Sequence, residues 1–391
     1  MGTSFSAEEA EILSTVERFV RNEVRPVVAK YEREKVYPDS LVDEMKSLGL
    51  FGIAVPEQYG GLGLRLPVVA AVMEELAKGW TSVAAYVNSH STVVHVIAAH
   101  GTETQKSRYL PKLASGELRA AMCLTETEAG SDLQAIKSTA LPERNGYRLN
   151  GNKIYVTNGD KAGVLLVLAK SAPKAEKASK GISLFLVDKE WAGVQVACTF
   201  HKMGFDLVDT VEINFDSVAM PASALLGGTE GRGFGQLMGA LEAGRIAIAA
   251  SAVGLAADAL AASMRFAEVR KTFGKTINQH QAIQLRLADM ATKLVAARQI
   301  TRFAAEEKEA KGRADMASGM AKLFASEVCA EITKEAIRLH GGHGYIADYQ
   351  VERLMREAML YLVGEGTNDI LKLVIARRMI DNSDPSVLGV S

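Results

Sequence analysis

A helical domain, a β domain and a second helical domain, in that order, are what this sequence predicts, in an α+β multidomain chain. Two observations carry the prediction. Apolar residues recur at helical spacing to about residue 120, alternate in short segments from there to about 232, and return to helical spacing for the rest. The length, 391 residues, is more than one core fills, so two or three domains are expected.

The elements follow from local signals. Ser6 precedes Glu8 and Glu9 and caps a helix whose apolar face is Ile12, Val16, Phe19 and Val20. A second helical segment over 40–50 ends at Gly49, a turn-rich connection spans Val55 to Gly63, and further helices are expected near 67–78 and 82–100. The last of these carries Asn88, His90, Ser91 and His95 among apolar neighbours; a lone histidine there reads first as a core or surface group, and no spacing makes a metal site. Tyr147–Val156 reads as two strands joined at Asn150-Gly151, a hairpin signal. More strands are expected at 164–170, 182–188, 194–200 and 210–216, around a charged loop from Lys174 to Lys180, which together make a small β-barrel or sandwich. After Gly231-Arg232-Gly233 the apolar stripes Ile283, Leu287, Met290, Leu294, Ala297 and Met320, Leu323, Phe324, Val328, Ile332 predict long antiparallel helices.

Composition excludes several function classes. Apolar residues are 48% and charged residues 23%, ordinary for a soluble globular protein, and the formal net charge of −1 offers nothing to nucleic acid. Cys123, Cys198 and Cys329 are too scattered for a metal cluster or a disulfide framework, so a reducing, cytoplasmic setting is expected. No run of some twenty uncharged apolar residues predicts a membrane span, and the N-terminus has no cationic stretch followed by an apolar one.

Four stretches carry chemistry. In Val363-Gly364-Glu365-Gly366-Thr367-Asn368-Asp369-Ile370 one acid stands between two glycines, with Thr367 or Asn368 able to cap the helix that follows. An apolar setting raises a carboxyl pKa and a helix N-terminus lowers it, a balance suited to a general base; an exposed glutamate in a turn is the blander alternative. Cys123-Leu124-Thr125-Glu126-Thr127-Glu128-Ala129-Gly130-Ser131-Asp132 offers hydroxyls and a glycine for close approach of a ligand, or simply two hydroxyl turns. Arg270-Lys271-Thr272-Phe273-Gly274-Lys275, with His280-Gln281 behind it, suits a phosphate and a ring, or is a solvated loop. Arg338-Leu339-His340-Gly341-Gly342 can turn backbone amides toward an anion, or end a helix.

Together with Val351-Glu352-Arg353-Leu354-Met355-Arg356, and in the order in which they stand along the chain, with the Glu365 stretch last, these motifs resemble the acyl-CoA dehydrogenase family of flavoproteins over roughly residues 7–381. That resemblance implies a helical domain over 1–120, a β-barrel domain over 121–232 and a four-helix-bundle domain over 233–391. It also implies FAD, an acyl-CoA substrate, an electron-transfer flavoprotein as acceptor, and a homotetramer in which two subunits build each flavin site. Matched onto this chain, Leu124, Thr125, Gly130, Ser131, Tyr155, Thr157, Thr367 and Asp369 stand at flavin-side positions. Arg270, Phe273, His280, Gln281 and Gly342 match positions that reach a neighbour's flavin, and Ser131, Glu242 and Arg245 match positions beside the thioester. Glu365 matches the base that takes the α-proton, its N–H and a ribityl hydroxyl holding the carbonyl oxygen while the β-hydrogen leaves as hydride. Relatives that keep the base one residue before the matched arginine place it where this chain has Gly244, so Glu365 is the only candidate of the two.

The departures from the pattern are specific. Arg338 replaces a common glutamine at the partner's pyrophosphate, Met122 a frequent aromatic, and Gly364 a tyrosine of straight-chain enzymes, which opens room for a branched, cyclic or unusual acyl group. His90 and His95 add polarity on the pocket-side helix. Alternatives within the family are a carrier-protein-bound acyl substrate, oxygen as electron acceptor, or a non-catalytic flavin-binding homologue; the retained Glu365 and the absence of a basic tail weigh against the last.

Overall fold

The computed structural model describes residues 5–380; the outermost ends of the two helical domains expected above, 1–4 and 381–391, lie outside the described residues. Six helices come first: α1 (Ala7–Phe19), α2 (Val28–Glu34), α3 (Asp39–Ser47), α4 (Leu66–Gly79), α5 (Thr81–His100) and α6 (Glu103–Ser115). Ser6 caps α1 in a reciprocal box, its Oγ accepting from the Glu9 N–H at 3.1 Å while Glu9 Oε2 accepts from the Ser6 N–H at 2.8 Å. The second segment ends as expected, with Gly49 in the left-handed region at φ +70°.

Seven strands then form one curled sheet: β1 (Ala120–Cys123), β2 (Thr139–Glu143), β3 (Gly146–Thr157), β4 (Val164–Lys170), β5 (Ile182–Asp188), β6 (Val194–Thr199) and β7 (Thr210–Pro221). The order is β1-β4-β2-β3-β7-β6, with β5 on β4. The predicted turn at Asn150-Gly151 is displaced. Residues 146–157 are one continuous strand, and the reversal falls five residues earlier, at Arg144-Asn145, where a second Asn-Gly pair begins. Gly151 instead marks a register shift against β7: its φ is +140°, and a Cβ there would sit 2.2 Å from Ser138 Oγ. Close approach to Ser138 therefore requires the glycine, and Asn150 Oδ1 accepts from the Ser217 N–H at 2.9 Å.

The C-terminal part consists of α7 (Gly233–Val269), a two-stranded ribbon β8 (Lys271–Thr272) and β9 (Lys275–Thr276), then α8 (Gln281–Lys311), α9 (Asp315–His340), α10 (Val351–Val363) and α11 (Asn368–Ile380). Among the described residues α7 is long and apolar enough to cross a membrane, yet it is the buried centre of the core, packed on α4, α5, α8 and α9. Its small residues explain the closeness of that packing: a Cβ on Gly254 would lie 2.1 Å from the Glu74 carbonyl oxygen of α4.

Candidate active site

Glu365 lies in the four-residue break between α10 and α11, and the chain bends sharply to put it there. Its φ is +54°, a conformation costly for a residue with a Cβ, and Gly366 follows at φ +92°. Gly364 has an ordinary φ of −73°, so its backbone does not need glycine; the missing side chain is a matter of space. Thr367 Oγ1 accepts from the Ile370 N–H at 3.4 Å and starts α11, with Asp369 exposed in the first turn and paired to Lys372 at 3.1 Å.

The bend is held from beneath by Lys322 of α9. This lysine is fully buried; its Nζ donates to the Gly366 carbonyl at 2.8 Å and to Asn368 Oδ1 at 2.9 Å. Asn368 Nδ2 in turn donates to Ser326 Oγ at 3.0 Å and Glu327 Oε1 at 2.8 Å. Burial pulls the ammonium pKa down to about 8, with the Glu365 carboxylate opposing. Lys322 was not legible as a site residue, because it stands in the apolar stripe of α9 between Met320 and Leu323.

The Glu365 carboxyl itself points at α7. Oε2 is buried and has no hydrogen-bond partner, and a Cβ on Gly244 would be 3.3 Å from it and 3.3 Å from Thr92 Oγ1 of α5. Burial raises the carboxyl pKa, while Arg245 and Lys322 restrain the rise. Arg245 is buried with an unpartnered Nε, and burial lowers its own pKa against the pull of Glu365 and Glu242. The Glu365 backbone N–H also lacks a partner among the described residues. A buried carboxylate oxygen left unpaired costs free energy, so its persistence points to a use.

Beside this carboxyl lies a cavity lined by Leu66, Val69 and Met73 of α4, Asn88, Ser91, Thr92 and His95 of α5, and Ala243, Gly244 and Ala247 of α7. Thr92 Oγ1 donates to the Asn88 carbonyl at 3.0 Å. Ser91 Oγ is buried with no partner. The two histidines of α5 part company here. His90 is a satisfied core group, its Nε2 3.1 Å from the Leu113 carbonyl and its Nδ1 accepting from the Ala120 N–H at 3.3 Å, whereas His95 faces the cavity. Burial pulls both imidazoles down to about 4 and keeps them neutral near pH 7.

Glu242 is fully engaged: its carboxylate accepts from Lys308 Nζ at 2.7 Å, Arg313 Nε at 2.7 Å and the Ala314 N–H at 3.0 Å, tying α7 to the α8–α9 turn.

Leu124, Thr125, Gly130 and Ser131 lie on the loop between β1 and β2, and Tyr155 and Thr157 at the end of β3. The structure joins these two segments: the Ile154 N–H donates to the Thr125 carbonyl at 2.9 Å, and Lys153, fully buried, donates to Glu126 Oε1 at 2.7 Å and the Leu124 carbonyl at 3.0 Å. The Thr125 and Ser131 hydroxyls make no hydrogen bond among the described residues, and Tyr155, at φ +55°, presents an exposed ring 5.3 Å from that of Phe200.

The remaining positions gather elsewhere. Phe273 and Gly274 turn the β8–β9 ribbon, both at positive φ, and leave the Phe273 ring 96% exposed. His280 Nε2 lies 3.2 Å from Thr272 Oγ1, and Gln281 opens α8. Arg338 stands in the last turn of α9 and Gly342 just beyond it, near the same ribbon through the packed Ala267, Ile277 and Leu339. Arg338 pairs with Glu335 on its own helix, and Gly341 and Gly342 have open space where a Cβ would be. Lys322 and Arg338 are sixteen residues apart on one helix, so this group sits roughly 24 Å along α9 from the Glu365 bend. One chain does not bring the two groups together.

Family models match along the described chain: acyl-CoA dehydrogenase N-terminal domain over residues 6–117, middle domain over 121–218 and C-terminal domain over 231–380. The chain belongs to the acyl-CoA dehydrogenase family, whose members are FAD-dependent oxidoreductases. Among its relatives are an acryloyl-CoA reductase (NADH) of Anaerotignum propionicum, 37% identical over 97% of this chain and 96% of its own, and an acyl-CoA dehydrogenase of Bacillus subtilis, 37% identical over 95% and 98%. In solved structures it is similar to the butyryl-CoA dehydrogenase of Megasphaera elsdenii (TM-score 0.93, 33% identity, 97% and 100% covered) and to PigA with FAD and proline (TM-score 0.92, 28% identity, 97% and 99% covered).

Proposed function

We propose that this chain carries out the FAD-dependent α,β-dehydrogenation of an acyl-CoA thioester to a trans-2-enoyl-CoA, with Glu365 as the base that removes the α-proton. The observation that carries the reading is the buried, unpartnered Glu365 Oε2 held over Gly244 beside a cavity. An α-proton of a thioester is weakly acidic, and a desolvated carboxylate is a stronger base than one in water. Burial raises the pKa of that carboxyl, and Arg245 and Lys322 oppose the rise by favouring the ionised form. The free N–H of Glu365 is positioned to donate to the thioester oxygen as negative charge develops there. Run backward, the same carboxyl returns a proton to the α-carbon, so one geometry serves dehydrogenation and reduction.

The residues present fit FAD. The β1–β2 loop is anchored by the Glu126–Lys153 pair while its Thr125 and Ser131 hydroxyls stay unengaged, and Tyr155 and Thr157 flank it; Leu124, Gly130, Thr367 and Asp369 complete that side. The exposed ring of Phe273, the cations Arg270 and Arg338, His280, Gln281 and the open glycine at 342 form a second set suited to a ring and a pyrophosphate. FAD, when bound, supplies the acceptor for the β-hydride. Because the second set lies far along α9 from Glu365, it serves a neighbouring subunit's flavin in our reading, and the assembly is a homotetramer. Ser131 and Arg245 border the thioester, with Glu242 bracing Arg313 and Lys308 behind the cavity wall. The electron acceptor is an electron-transfer flavoprotein, and the free buried thiols of Cys123 and Cys329 fit a cytoplasmic location.

The test is direct. The purified protein should be yellow, hold one FAD per chain, sediment as a tetramer, and bleach anaerobically with an acyl-CoA. A colourless protein, a monomer that retains FAD, or a flavin that no acyl-CoA reduces contradicts the reading.

A further inference from the structure

The cavity beside Glu365 has two unlike walls. Leu66, Val69, Met73, Ala243 and Ala247 make an apolar wall from α4 and α7. The α5 wall is a polar stripe, Asn88, Ser91, Thr92 and His95, at the i, i+3, i+4, i+7 spacing of one helix face. Thr92 satisfies itself on the Asn88 carbonyl. The other three do not: Ser91, only 6% exposed, has a buried Oγ with no partner, and neither the Asn88 amide nor the His95 ring makes a side-chain hydrogen bond among the described residues. A hydrocarbon chain laid against this face would cover three hydrogen-bonding groups without partners, which selects against it. Among the described residues no cationic side chain lines the cavity, and Lys308, whose charge acts on His95, is bound to Glu242 and the Gly312 carbonyl. A carboxylate would therefore enter without a counter-ion.

We propose that the acyl group of the substrate carries a neutral oxygen function, a ketone, amide or hydroxyl beyond the β-carbon, received by Asn88, Ser91 and His95. The inference rests on the dehydrogenase reading and narrows its substrate. The amide N–H groups of Asn88 and the Ser91 hydroxyl are donors, and the neutral His95 ring offers one donor and one acceptor.

The test compares four thioesters of one chain length on the FAD-loaded enzyme: hexanoyl-, 5-oxohexanoyl-, 6-hydroxyhexanoyl- and adipoyl-CoA. Anaerobic flavin reduction gives kcat/KM, and calorimetry on the Glu365→Gln holoenzyme gives Kd. The expected result is that the better of the two neutral oxygenated thioesters exceeds hexanoyl-CoA in kcat/KM by on the order of 10-fold or more, with a matching Kd ratio. Ser91→Ala and Asn88→Leu should each pull that ratio toward one. Hexanoyl-CoA equal or better in the wild type overturns the inference and leaves the dehydrogenase reading standing; adipoyl-CoA preferred overturns it in favour of an anionic substrate. If none of the four reduces the flavin, the Kd ratio on the Glu365→Gln holoenzyme decides whether the cavity prefers oxygen or hydrocarbon, and a ratio of one or below overturns the inference.

Discussion

Replacing Lys322 with methionine removes the support under the Glu365 bend while keeping the length of the side chain. The ammonium makes two hydrogen bonds, to the Gly366 carbonyl at 2.8 Å and to Asn368 Oδ1 at 2.9 Å. Each charge-assisted bond contributes about 1.5–3 kcal/mol, and the cost of desolvating the ammonium returns part of this, so a net loss of about 2–4 kcal/mol is expected. The positive-φ conformation of Glu365, itself worth about 1–2 kcal/mol of strain, then loses its restraint. Electrostatics add a signature that structural loosening alone does not produce. Lys322 lowers the Glu365 pKa, so its removal raises that pKa further above the ordinary carboxylate value. The base must be ionised to act, so the acid limb of the rate profile moves to higher pH. Stopped-flow flavin reduction of the FAD-loaded variant between pH 5 and 8 should show a fall of roughly 10- to 100-fold near neutrality with a displaced acid limb. Lys322→Gln, which keeps a donor but carries no charge, should recover part of the rate and none of the displacement. An acid limb unmoved in Lys322→Met would refute the electrostatic link, and an unchanged rate would refute the support.

Three further outcomes are expected. His90 is buried neutral with its pKa pulled to about 4, so the unfolded chain binds the extra proton first; stability is full above about pH 6.5 and falls as pH drops toward 4, by about 3 kcal/mol from this residue. Urea unfolding at pH 7 and pH 4.5 measures it, and His90→Gln should flatten that dependence. Gly244→Glu in the Glu365→Gln background puts a carboxylate on a position whose Cβ would lie 3.3 Å from Glu365 Oε2, and partial recovery of flavin reduction is expected; no recovery would mean the two positions do not reach one proton. Arg338 is exposed and paired only within its helix turn, so Arg338→Ala should leave thermal stability within about 0.5 kcal/mol while weakening FAD retention, more so at high salt. Unchanged retention would remove Arg338 from the flavin site.

The parts of the molecule legible in the sequence are those governed by local rules. The Ser6 box, the Gly49 stop and the strands at 164–170 and 182–188 follow from spacing and capping alone. The hairpin was misplaced because the chain holds two Asn-Gly pairs five residues apart, and which one turns depends on Ser138, just before β2, lying against Gly151. Glu365 announced itself through its flanking glycines. Lys322 did not, because a lysine inside an apolar stripe signals nothing until the Gly366 carbonyl is seen above it. The polar face of α5 was visible as Asn88, Ser91 and His95, but only the packing of α4 and α7 separates the cavity-facing His95 from the core His90.

The central claim is that Glu365 takes the α-proton, and Glu365→Gln tests it most directly. Glutamine keeps the size and hydrogen-bonding capacity of the side chain and removes its basicity. The FAD-loaded variant should still bind acyl-CoA, while the rate of anaerobic flavin reduction falls by roughly 10²–10⁴ or more, with the loss in the reductive step and not in KM. Near-normal flavin reduction by Glu365→Gln with a good substrate would contradict the account and take Glu365 out of the mechanism.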